Sequence, residues 1–419
     1  GRGSSHDRSQ PPVGALMARA VCRLCGESWP LVLAFETLLV WNRWWPSARG
    51  TGRFLSWGSD PFPPNTPGDI EAATWQGAAY ESGLDNSHTF DGVEYDLQSG
   101  LLQQADVGLM SLYVADCEQL AEIATELGNT TAALELRQRG EEYVEALRGM
   151  WSGASRPGDA VEACLCSGVL YRCGAVQCML LTTICPHSSE PHGMFFNSDL
   201  RTNAPSHRIS PANLYPLLAK APTLDQARRM VHEHLLNETV FGGEFLIPST
   251  PRNDPAFHDN EYWRGRIWAP MNFLVYLGLR HYPELAEARE ELGRKSMALL
   301  VQEWRLHGHV HENYDPTSGL GCGLTGSDAF YHWGALLALI SLIEDGKLGG
   351  DEGACAGDAT ANIAMGQHGA DTADVAELES ALDKTAQVLQ DVKLLSRRRG
   401  VESKSHRDVL RRLANVDCE

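Results

Sequence analysis

Three segments of this 419-residue chain concentrate side chains able to move protons and to meet hydroxyls and ring faces. The first is Trp75-Gln76-Gly77-Ala78-Ala79-Tyr80-Glu81-Ser82-Gly83-Leu84-Asp85-Asn86-Ser87, which packs aromatic rings, two acids and amides around flexible glycines. In the second, Asp259-Asn260-Glu261-Tyr262-Trp263-Arg264-Gly265-Arg266-Ile267-Trp268, two arginines sit among three aromatics. The third, Gly308-His309-Val310-His311-Glu312-Asn313-Tyr314-Asp315, runs into the turn Pro316 to Gly319. Hydrolysing a glycosidic bond with inversion needs a protonated carboxyl beside the leaving oxygen and an ionised one holding water on the opposite face, about 6.5–9.5 Å away. Two carboxylates in well-formed loops are the pattern such chemistry requires, and Asp85 and Glu312 are the candidates.

Each segment also has a plainer reading. Asp-Asn-Ser is a common helix cap or Asx turn, although here it follows a short helix and is flanked by Trp and Glu. Arginine forks and ring faces suit a sugar acid, but the same residues make cation-π packing in a core loop. His309, His311 and Glu312 could ligate a metal, yet the spacing is not His-Glu-x-x-His. The two histidines lie about 200° apart on a helix and the acid stands beside the second of them, so no metal site is expected. A Glu followed by Asn-Tyr and a turn is better suited to positioning water. No cofactor is required by the reaction.

The elements that must carry these loops read as helices. Apolar residues fall at helical spacing from Leu31 to Trp45, Leu101 to Leu127 and Thr130 to about Trp151, with Thr130 or Thr131 as cap of the last. Further helices are expected at about 211–220, 223–236 with Thr223 as cap, 266–281, 284–305 and 328–344. Hardly any strand is expected. Short connectors alternate with long ones rich in glycine and aromatics, and the long ones hold nearly all the unusual residues. In a ring of helix pairs these gather at one end, where distant segments face a common cavity.

Composition narrows the function classes. Hydrophobic residues make up 43% and charged residues 21%, ordinary globular usage. A net charge of -19, with no basic face outside the tail, excludes a nucleic-acid partner. The longest apolar run, Leu31 to Val40, is interrupted by Glu36 and far shorter than the roughly 20 residues of a membrane span. Eleven cysteines, five of them between Cys164 and Cys185 and one Cys22-x-x-Cys25 pair, follow no disulfide framework and are expected as free thiols. With no signal peptide apparent, the cytoplasm is the expected location.

Together, Trp75 to Ser87, Tyr262 to Trp268, Glu312-Asn313-Tyr314 and Phe330-Tyr331-His332-Trp333-Gly334-Ala335 resemble glycoside hydrolase family 63. The similarity is closest to its mannosylglycerate and glucosylglycerate hydrolases and covers roughly 38–345 apart from 155–191. The resemblance implies an all-α fold, the (α/α)6 toroid, and net inversion at the anomeric carbon. It implies Asp85 as general acid and Glu312 as general base. Tyr262, Trp263, Arg264 and Trp268 would line the sugar and aglycone subsites, and Trp75, Gln76 and Glu81 the wall near the acid. Asp85 should keep its proton through partial burial and the nearby Glu81, while Glu312 stays ionised among His311, Asn313 and Tyr314. An equal alternative makes Glu81 the structural partner of an arginine.

The expected organisation is an unstructured N-terminus over 1–30, a catalytic toroid over 31–345 with an insertion at 155–191, and a linker with an amphipathic C-terminal helix over 346–419. Only about eight or nine helices can be read where six pairs are needed, so the toroid is expected to lack its N-terminal helices. The substrate expected is a small charged glycoside such as mannosylglycerate or glucosylglycerate. The alternatives are a catalytically inactive sugar-binding toroid, a processing α-glucosidase acting on oligosaccharides, and a helical scaffold that self-associates through the C-terminal helix.

Overall fold

The computed structural model describes residues 7–25, 28–62, 70–152 and 193–346. Among them are nine α-helices: α1 (Gly14–Cys25), α2 (Trp29–Ala48), α3 (Trp75–Glu81), α4 (Val107–Glu126), α5 (Thr130–Arg148), α6 (Leu224–Arg229), α7 (Ala269–Leu279), α8 (Ala286–His307) and α9 (Leu336–Glu344). Strand is confined to four two-stranded antiparallel ladders of two residues per strand. One of them, Gln104–Ala105 on Ser198–Asp199, joins segments far apart in sequence.

Helix α4 is the central element. Asp106 caps it by accepting from Leu109 N at 2.7 Å, and every residue from Val107 to Cys117 is buried. It therefore starts later than the expected Leu101, because Leu101–Leu102 and Gln104–Ala105 pair as strands instead. Helix α5 returns antiparallel along α4 after Gly128, which takes the left-handed conformation at φ 77°. Its cap is Asn129, accepting from Ala132 N at 3.1 Å, not the expected Thr130 or Thr131, which lie inside the first turn. Ala132, Ala133, Leu136, Tyr143, Ala146 and Leu147 form its buried stripe. Thr223 does cap α6, with Gln226 completing a capping box. Ahead of α7 and α9 the chain is extended or 3-10, so both begin several residues later than periodicity suggests.

Within the segment expected to be unstructured, the described residues Gly14–Cys25 form α1, which packs against α2 and α4. Ala15 N donates to Asp116 Oδ1 at 3.1 Å and Asn42 Nδ2 to Asp116 Oδ2 at 2.8 Å, joining three helices. Burial pushes the Asp116 carboxyl up to about 6. Of the four tryptophans of α2, Trp45 is fully buried and meets Trp44 and Trp57 edge-on, Trp41 and Trp44 are half-buried, and Trp29 is exposed. The expectation of free thiols holds at the buried Cys117 and is corrected at Cys22 and at Cys322, each of which is in a disulfide.

The second half is held by α7, eight of whose eleven residues are buried, packed against α8 and α9. Its Asn272 side chain accepts from Ile247 N at 3.0 Å and donates to Leu246 O at 2.6 Å, fixing the loop that precedes the aromatic segment. Among the described residues no helix is long and apolar enough to cross a membrane. The insertion expected at 155–191 and the C-terminal helix expected beyond Gly346 lie outside the described residues.

Candidate active site

Asp85 is placed by the end of α3. Thr74 caps that helix by accepting from Gly77 N at 3.0 Å, and Ser82 closes it, donating to Ala79 O at 2.5 Å and accepting from Leu84 N at 3.0 Å. Gly83, at φ 69°, turns the chain where a side chain would be strained. Leu84 then packs on the Trp263, Trp268 and Met271 cluster, leaving Asp85 half-buried. Gln76 Nε2 donates to the Asp85 carbonyl at 2.9 Å and so clamps the loop. Beyond it, the buried His88 contacts Ile209 O at 2.9 Å and Thr250 Oγ1 at 3.1 Å. Burial pushes that imidazole down to about 4, so it is a neutral anchor.

The aromatic segment is a strained turn locked from several sides. Tyr262 has φ 53°, a left-handed conformation that is costly for a bulky residue. It is held by the Glu261–Arg264 bridge and by Trp268 Nε1 donating to Tyr262 O at 2.9 Å. Trp263 stacks on Trp268 with centroids 3.6 Å apart, and Tyr262 meets Trp268 edge-on at 4.8 Å. Asn86 ties this turn to the acid loop: its Oδ1 accepts from Trp263 N at 2.9 Å and its Nδ2 donates to Glu261 O at 3.2 Å.

The third loop is sewn to the second by backbone. Ile267 and Tyr314 exchange hydrogen bonds of 2.8 and 3.0 Å, and Glu312 N donates to Asp328 O at 3.0 Å. Arg266 adds Nη1 bonds to Asn313 Oδ1 at 3.0 Å and Thr325 O at 2.8 Å. These links bring Glu312, 6% exposed, to the strained tyrosine: Tyr262 Oη donates to Glu312 Oε1 at 3.2 Å.

The charges of both acids act on that phenol, and that of Asp85 acts on Glu312. Burial raises Asp85 above the ordinary aspartate range, and Arg8 opposes the shift. Glu312 is raised first by burial and further by the charges of Asp328 and Asp85, while the Tyr262 bond pulls it down. Tyr262 in turn is held well above the ordinary tyrosine range by burial and by the charges of Glu312 and Asp85, so it stays a donor. Tyr262→Phe removes the bond that favours the ionised Glu312, which moves the carboxyl's pKa up. The acidic limb of kcat/KM should therefore shift to higher pH, with a loss of about 10- to 100-fold near neutrality. An acidic limb in the wild-type position would remove Tyr262 from this role.

Several expected site residues sit elsewhere. Glu81 is 0% exposed and does not line a wall: Arg49 holds it, and it is not among the causes of the Asp85 shift. Arg264 is held by Asp259 at 2.7 Å and Asp91 at 3.0 Å, which occupies the fork expected to meet substrate. Trp268 is 0% and Trp263 4% exposed, so they form a floor beneath Tyr262 and not a face for sugar stacking. Trp268→Ala should cost about 3–5 kcal/mol, read as a lower denaturant midpoint. Trp75 donates Nε1 to Val93 O at 2.9 Å and packs on the main core. The expected company of Glu312 also turns away. His311 Nδ1 lies 2.6 Å from Glu303, Asn313 accepts from Arg266, and Tyr314 Oη accepts from His311 N at 3.1 Å. Among the described residues no group of three or more His, Cys, Asp or Glu is arranged to hold a metal.

Two contributors escaped sequence reading. Tyr331, whose ionisation is raised by burial and by the charge of Glu312, lies in the aromatic Phe330–Ala335 run, which signalled it without a role. Arg8 acts on Asp85 and lies over the Tyr80 ring at 5.3 Å, and nothing local marks it.

A family described as the mannosylglycerate hydrolase MGH1-like glycoside hydrolase domain matches residues 1–160 and 188–333. A mannosylglycerate hydrolase of Thermus thermophilus is 31% identical over 147 residues, 35% of this chain and 32% of that protein. Mannosylglycerate hydrolase MGH1 of Selaginella moellendorffii is 24% identical over 373 residues, 80% of this chain and 66% of that protein. The chain thus spans about one third of the first relative and just under two thirds of the second. In three dimensions it is similar to the GH63 mannosylglycerate hydrolase from another strain of Thermus thermophilus, in complex with glucose. The TM-score is 0.57 at 23% identity, over 81% of this chain and 77% of that one. This likeness shows the (α/α)6 toroid fold. With the family match spanning most of the chain, the protein belongs to glycoside hydrolase family 63, among its mannosylglycerate hydrolase MGH1-like domains.

Proposed function

We propose that this chain is an inverting α-glycosidase that hydrolyses a small charged glycoside, mannosylglycerate or glucosylglycerate, with Asp85 as general acid and Glu312 as general base. The observation that carries this reading is that one turn joins the two acid loops: Asn86, next to Asp85, holds the backbone of the Glu261–Trp263 turn, and the Tyr262 phenol of that turn donates to Glu312. Burial favours the protonated form of Asp85, as an acid delivering a proton to a leaving oxygen needs. Glu312 shares the upward pressure, and the Tyr262 hydrogen bond is what favours its ionised form. The names of the relatives support the substrate class. Arg264, paired with two aspartates, is not assigned the glycerate carboxylate.

The test is product release from mannosylglycerate, glucosylglycerate, trehalose and glucosyl-oligosaccharides, with NMR of the fresh anomer. The β-anomer should appear first from a glycosylglycerate. A fresh α-anomer would be incompatible with water activated by Glu312, a preference for oligosaccharides would favour a processing glucosidase, and binding without turnover an inactive toroid. The expected cytoplasmic location fits poorly with disulfide-bonded Cys22 and Cys322, because cytosolic thiols are kept reduced.

A further inference from the structure

We propose that the buried Arg49–Glu81 ion pair is a positioning device for the general acid, setting where Asp85 presents its proton. The inference rests on the reading of Asp85 as that acid. Glu81 is the last residue of α3, four positions before Asp85, and Arg49 follows the end of α2. Both side chains are 0% exposed. Each carboxylate oxygen of Glu81 accepts two bonds. Oε1 takes Ser9 N at 2.7 Å and Arg49 Nη2 at 3.0 Å. Oε2 takes Arg49 Nε at 2.7 Å and Gly58 N at 2.7 Å. All four partners are N–H donors, so the acceptor capacity of the carboxylate is filled and none of it is left for substrate.

The same guanidinium reaches Asp60 through Nη1 at 2.9 Å and lies over the Trp44 ring at 4.7 Å. The pair therefore joins four pieces of chain: the 7–9 segment, the α2 end, the 58–60 turn and α3. Between Glu81 and Asp85 lie only Ser82, Gly83 and Leu84, with Gly83 turning the chain, so a shift of the helix end is passed to the acid. An acid displaced by about 1 Å can lose about 10²-fold in rate while the rest of the site is intact.

The test compares substrates that need the acid to different extents. An alkyl leaving group, as in mannosylglycerate, must be protonated as it departs, whereas α-mannosyl fluoride releases fluoride without that proton. Glu81→Gln in the full chain should lower kcat on mannosylglycerate by about 100-fold and on the fluoride by less than about threefold, with a small change in KM. Arg49→Lys, which keeps the charge, should restore most of the alkyl-glycoside rate relative to Arg49→Met. If the single variants do not fold, Arg49→Met with Glu81→Leu removes both charges of the pair together and should show the same selective loss. Equal losses on both substrates, or none on either, would overturn the positioning role. Asp85→Asn run alongside separates the two ideas. Selective loss there with no selective loss at Glu81 defeats only the positioning, while no selective loss at Asp85 defeats the acid assignment and the proposal with it.

Discussion

Asp85→Asn is expected to lower turnover of mannosylglycerate by about 10²- to 10⁴-fold, the range that a positioned general acid supplies. The amide keeps the size and polarity of the half-buried side chain, and Gln76 bonds the backbone carbonyl of residue 85, not its carboxyl, so the loop should survive. The sign of the pH effect follows from the raised carboxyl. Asp85 works protonated, so wild-type activity falls as pH rises through its pKa, and the Asn variant should lack that basic limb. Hydrolysis of α-mannosyl fluoride should be much less impaired. Turnover of mannosylglycerate at the wild-type rate would remove Asp85 from the mechanism.

Glu312→Gln should be equally severe, about 10²- to 10⁴-fold, but with a different substrate signature. Water must be activated whichever group leaves, so mannosylglycerate and the fluoride should lose rate together. Glu312 works ionised, and its loss should remove the acidic limb of the profile. The backbone bond to Asp328 and the Ile267–Tyr314 bridge do not involve the side chain, which keeps a stability explanation separable by thermal unfolding. A Gln variant that spares the fluoride would assign water activation to another group, with Asp328, whose charge acts on Glu312 and whose carbonyl accepts from Glu312 N, the first to test.

Local chemistry was the legible part of this molecule. Thr223 caps α6 because its hydroxyl and Gln226 complete a box within four residues, and α5 shows its stripe at helical spacing. The failures arise where a partner distant in the chain wins over local preference. Leu101–Leu102 reads as the start of a helix, yet Tyr95–Asp96 offers it a strand partner. Residues 14–25 carry a helical stripe at Ala15, Ala18 and Cys22 that is short and rich in small residues, and what seats it is distant: Asp116 supplies a buried acceptor for Ala15 N. Thr130 has the right side chain to cap, but the turn at Gly128 puts Asn129 in the capping position first.

The same division runs through the site. Residue type and order along the chain were enough to single out Asp85, Glu312 and the Tyr262 segment, because proton transfer restricts which side chains can serve and such residues cluster in short motifs. Whether an aromatic is a floor or a face, and whether a charge is available or already paired, depends on atoms contributed from elsewhere. Trp268 and Arg264 lie within the same motif as Tyr262, yet the first is sealed under Trp263 and the second is held by Asp91 and Asp259. Glu81 lies four residues from Asp85 and is claimed by Arg49, Ser9 and Gly58. Burial and ion pairing are properties of packed neighbours, and those neighbours are chosen when helices distant in sequence come together.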